Sequence, residues 1–145
     1  MMSLIRAEGW TIIDQQSSRH ATKCVLTKLG TTLDARLERC AHGRLRDAYP
    51  AAEHDIEIRL DDAPTDELAV LLGALSAAAQ QADPQCRRVV FGAPSGDLAT
   101  LAAAEEAGFR YVVDVDLADT SFSLAVAEPS WVTSVDIDLD RVPGT

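Results

Sequence analysis

The chain has 145 residues, 47% of them hydrophobic and 25% charged, with a formal net charge of −10. A single domain of that size can bury a real core, while the acidic balance excludes a nucleic-acid partner or an anionic membrane surface, whose phosphates it would repel. No apolar run is long enough to span a bilayer, MMSLIRAEGW lacks the apolar stretch of a secretion signal, and three scattered cysteines without a CxxC pair fit reduced, buried thiols, so a cytoplasmic protein is expected.

GWTIIDQQ and ATKCVLTKL read as two short strands joined by polar SSRH, a hairpin. TTLDARLERCAHGRLRDAY reads as a helix, because Leu33, Leu37, Cys40, Ala41 and Leu45 recur on one face. Gly43 weakens its last turns and Pro50 ends it. Arg36, Arg39, Arg44 and Arg46 then form a solvated helix surface, or a receiver for an acidic ligand such as a second copy of the chain.

HDIEIRL alternates as a strand, with Ile56, Ile58 and Leu60 on one side and Asp55, Glu57 and Arg59 on the other. Residues 65–82 make the strongest helix, striped by Leu68, Leu71, Leu72, Leu75, Ala79 and Ala82. CRRVVFGAP is a strand ending in turn residues. GDLATLAAAEEAG is a helix with Ser95 or Asp97 as its cap and Gly108 as its stop. FRYVVDVDL and SFSLAVAE are strands around residues 118–120, and WVTSVDIDL alternates once more. Helices inserted between strands imply parallel pairs in the middle of the sheet, and the ending implies an antiparallel edge. One domain over residues 1–145 is expected.

The junction LDDAPTDEL joins a strand to a helix, a place where free N–H groups and the helix dipole favour anions. Here it carries Asp61, Asp62, Asp66 and Glu67, one proline and no glycine.

The run RRVVFGAPSGDLATLAAAEEAGFRYVVDVDL resembles the C-terminal half of the GNAT acetyltransferase superfamily, in which a helix ending in a GF pair leads into a long strand. With the preceding strand and helix, the resemblance covers roughly residues 54–128. It implies a GNAT-like α/β fold, a mixed, twisted, six- or seven-stranded sheet with helices on both faces. It also implies a splayed central strand whose backbone holds the pantetheine arm of acetyl-coenzyme A, with the pyrophosphate on the loop that follows. On that basis the cofactor-binding residues are Arg59, Leu60, Asp61, Gly92, Ser95 and Gly96. Glu57 is the candidate general base, with Asp55 beside it.

Several positions depart from the family's pattern. The loop DDAPTDE has no glycine for close backbone approach, and Pro64 donates no N–H. Asp97 stands where the family commonly holds an asparagine, and Ala104 where it holds a tyrosine acting as general acid. The family usually opens with a strand and two helices and then an antiparallel meander, whereas a helix is expected here immediately before the central strand. These departures point to a non-catalytic or atypical module binding a ligand, another protein or a second copy; the alternative is an acyl-coenzyme A-dependent N-acetyltransferase using Glu57. His54 alternates away from Asp55 and Glu57, and Arg141 replaces the glycine that a calcium loop starting at DIDLD requires, so no metal is expected.

Overall fold

The computed structural model describes residues 9–48, 52–60, 63–118 and 120–128. Its strands are β1 (Thr11–Ser17), β2 (Ala21–Lys28), β3 (Thr31–Arg39), β4 (Ile56–Leu60), β5 (Val89–Pro94), β6 (Arg110–Leu117) and β7 (Thr120–Ala127); its helices are α1 (Thr65–Ala82) and α2 (Leu98–Glu106). Asp61, Asp62 and the strand expected over WVTSVDIDL lie outside the described residues.

All seven strands form one mixed sheet in the order β1-β2-β3-β4-β5-β7-β6. The first four make an antiparallel meander. β4 and β5 are parallel, joined through α1, and α2 then carries the chain past the position that β7 later fills. Right-handed crossovers advancing the same way put their helices on one face, and α1 and α2 do pack together. Leu71, Leu75 and Ala104 from these helices join Ile56, Ile58 and Phe91 of the sheet in the larger core. Among the described residues the opposite face carries one 3-10 turn, Cys40–His42, over a smaller core of Cys40, Leu45, Val90, Leu124 and Val126.

The helix expected over residues 31–49 is not there. Its first half is β3, paired on both edges, and its second half is the 3-10 turn and irregular chain. Leu33 and Leu37 are four residues apart, a spacing that serves a helix face and a strand face equally. Ala35 between them is also buried, 2% exposed, which is the strand period. Consequently the four arginines do not share a surface: Arg36 reaches Glu38, Arg39 reaches Asp83, Arg44 reaches Glu57 and Arg46 reaches Asp47.

The C-terminal stop of α2 follows the expected chemistry. Gly108 takes φ +101°, and the N–H groups of Gly108 and Phe109 return to the carbonyls of Glu105 and Ala104. The three cysteines are free and buried. Burial pushes the Cys86 thiol up to about 11, so it is not a ready nucleophile. No described helix is long and apolar enough to cross a membrane.

Candidate functional site

β4 and β5 form only three register pairs, Ile56–Val89, Glu57–Val90 and Ile58–Phe91. β4 continues to Leu60 and β5 to Pro94 without pairing to each other. A cavity of about 380 Å³ fills the opening. Arg59 and Leu60 line it from β4, Gly92 and Pro94 from β5, and Arg44 and Phe122 wall its far side. Leu60 shares the β5-facing edge of β4 with Ile56 and Ile58, and there its backbone has no strand partner, so it is free to meet a ligand's amide.

Both helices bring their N-terminal ends to this opening: Ala63 and Thr65 at α1, Asp97 and Thr100 at α2. The two ends are finished differently. At α2 the Asp97 side chain accepts from the Thr100 N–H at 3.1 Å and from its hydroxyl at 2.7 Å. At α1 the N-cap is Pro64, which offers no side-chain cap. Glu67 in the first turn points elsewhere: it accepts from Lys28 Nζ at 2.7 Å and from the Trp10 indole at 3.1 Å. These two bonds hold its carboxyl below the usual range. Glu67 therefore neither caps α1 nor presents an uncompensated charge there.

The candidate base Glu57 is 1% exposed. Arg44 closes over it, with Nη2 2.6 Å and Nε 3.0 Å from Oε2. The guanidinium also lies 4.5 Å from the centre of the Phe122 ring. Burial raises the Glu57 pKa, opposed by the hydrogen bond and charge of Arg44. Glu57 thus meets the cavity through Arg44, not directly. Asp55 is fully buried and bonded to Arg88 at 2.9 Å and to the Ala52 N–H at 3.0 Å, an anchor for the start of β4.

Of the residues expected to hold the cofactor, Arg59, Leu60 and Gly92 come together around the opening. Ser95 and Gly96 sit on the exposed turn between β5 and α2, where the Ser95 N–H is taken by the Ser121 carbonyl. The sequence reading missed Arg44, having placed it on a helix surface. Gly43 was the available signal. A Cβ there would lie 2.9 Å from Glu38 Cδ, so a glycine is needed to let the chain fold down over the carboxylates.

The fold, as distinct from the details of the site, occurs in solved structures. An aminoglycoside acetyltransferase, AAC(6')-Ib, in complex with coenzyme A and kanamycin, superposes with a TM-score of 0.64 at 16% identity, over 79% of this chain and 70% of that one. The RimJ protein of Mycobacterium smegmatis, in complex with CoA-disulfide, gives 0.56 at 14% identity, over 78% of this chain and 55% of that one. The fold is that of the GNAT acetyltransferases. An uncharacterised protein of Bacillus halodurans matches with a TM-score of 0.69 at 21% identity, over 84% of this chain, which spans 66% of that protein's length. No family model and no curated protein matches the sequence. In the GNAT-like frame, the meander β1–β4 restores the lead-in to the central strand that the sequence reading had denied. Ala104 is fully buried in the core.

Proposed function

We propose that this chain binds an acyl-coenzyme A thioester in the β4–β5 opening and transfers the acyl group to an amine. The observation that carries this reading is the end of pairing after Ile58 and Phe91, which leaves a cavity beside unpaired strand backbone. The β5-facing backbone of Leu60 would pair with a pantetheine amide, with Arg59 lining the opening beside it. The uncapped end of α1 would face the phosphates, with the Glu67 charge already compensated by Lys28. In the transfer the amine nitrogen attacks the thioester carbonyl, the acyl–nitrogen bond forms, the carbon–sulfur bond breaks with its electron pair leaving on the coenzyme A thiolate, which takes a proton from solvent, and the amine gives up a proton. Glu57 takes that proton once Arg44 has moved aside, because the guanidinium covers both of its oxygens.

A second reading is a binding module without chemistry. The buried Ala104, where the resembled family holds its general-acid tyrosine, and the sealed Glu57 favour it. One experiment separates the two. Acetyl-coenzyme A is titrated by calorimetry at modest salt, and thiol release is then followed with a panel of primary amines. Binding with amine-dependent thiol release supports the transferase; binding without release supports the module. Silence at millimolar ligand overturns the coenzyme A site altogether.

A further inference from the structure

The face of the meander opposite α1 holds a second cavity of about 360 Å³, lined by Asp14, Lys23, Val25, Asp34, Arg36 and Arg59. Register arranges these side chains in rows across the strands. Asp14, Val25 and Asp34 pair in line on β1, β2 and β3. Two residues along each strand, Gln16, Lys23, Arg36 and Arg59 pair in line on β1 to β4. An acidic row thus runs beside a basic one, about 7 Å apart at two residues' rise.

The basic row is not used up by the protein. Glu38 is shared by Arg59, at 3.2 Å, and Arg36, at 3.3 Å, so two cations have one anion between them. The Arg36 contact is made by its buried Nε, which sits 3.3 Å from Glu38 Oε2 without the geometry of a hydrogen bond. Lys23 has no charged partner among the described residues. A chain of net charge −10 has set three of its 13 Lys and Arg residues on one row of one groove. Arg59 also lines the β4–β5 opening, so one residue is common to both cavities.

We propose that this groove binds a small zwitterionic amine: a carboxylate on the Lys23–Arg36–Arg59 row and an ammonium group on the Asp14–Asp34 row, with an aliphatic stem over Val25. Its role as acyl acceptor rests on the transferase reading; its binding does not.

The test uses the full chain without acetyl-coenzyme A. Calorimetric titrations compare 6-aminohexanoate and L-lysine, which carry both charges, with hexanoate and cadaverine, which carry one kind. The zwitterions are expected to bind at least about tenfold more tightly than either single-charge probe. Arg36→Gln should abolish the advantage of 6-aminohexanoate over cadaverine, and Asp34→Asn its advantage over hexanoate, with unchanged circular dichroism in both. Equal affinity for all four probes, or no zwitterion binding at about 10 mM, overturns the groove. Acetyl-coenzyme A is titrated separately on each protein: an intact cofactor response beside a silent groove overturns this inference alone, and the converse overturns the transferase reading alone.

Discussion

Two helices start at the edge of the same cavity, and the chain treats their ends in opposite ways. The end of α2 is closed by its own sequence, because Asp97 accepts from both the N–H and the hydroxyl of Thr100. Among the described residues the end of α1 has no side-chain cap: its N-cap is a proline without a side-chain acceptor, and of the two acids in its first turn, Asp66 and Glu67, Glu67 is drawn off to Lys28 and Trp10. A helix end is an anion site only while its N–H groups lack a partner. The lesson is that counting acidic residues near a helix start is not enough. What matters is whether they bond to that helix, and Glu67 does not.

The largest expected effect concerns the wall both ends share. Arg44→Met leaves the buried Glu57 carboxylate alone, which should cost about 3 kcal/mol of stability, read as a shift in the urea midpoint. A second change, Glu57→Gln, should recover part of it. An unchanged midpoint in Arg44→Met would show that Arg44 does not hold the cavity wall. The pH dependence carries the same point with its sign. The Glu57 pKa is raised above its ordinary 4.5 on folding, so its contribution is full below that pH and is lost as pH rises through the raised value. Glu57→Gln should flatten that decline, and in an active enzyme the acid limb of kcat/KM should lie above the ordinary carboxylate range.

Next comes a direct test of the two ends. Pro64→Gly adds an N–H at α1 and should tighten acetyl-coenzyme A about fivefold, the effect of one modest hydrogen bond. Asp97→Asn should change that affinity less than about twofold. The reverse ranking would break the comparison. Smaller still, Asp97→Ala removes the α2 cap and should lower Tm by a few degrees. The smallest effect belongs to Glu67, whose pKa is lowered by Lys28 and Trp10. Its contribution is present above the unfolded value and is lost as pH falls through the folded one, so Glu67→Gln should remove a shallow acid-side slope in a thermal melt.

Much of the frame was legible in the residues. The alternation of residues 56–60, the leucine stripe of α1 and the glycine stop of α2 are local patterns, and each is satisfied within its own element. β3 was misread because Leu33 and Leu37 suit either period, and its pairing with β2 and β4 is a long-range choice that local spacing does not encode. The site was legible in part for the same reason. Arg59, Leu60 and Gly92 follow from strand positions, whereas the Arg44–Glu57 contact depends on how the chain turns back after β3. Gly43 hinted at that turn without naming its direction.

β7 enters the sheet between β5 and β6, although it is made after both. Until it arrives, β5 has no neighbour on that side, and Phe122, against which the Arg44 guanidinium rests, is missing from the cavity wall. Assembly of the β4–β5 opening therefore belongs to the end of folding. A chain still emerging from the ribosome can complete the β1–β4 meander, whose contacts are sequential, well before the cavity between β4 and β5 has its full wall.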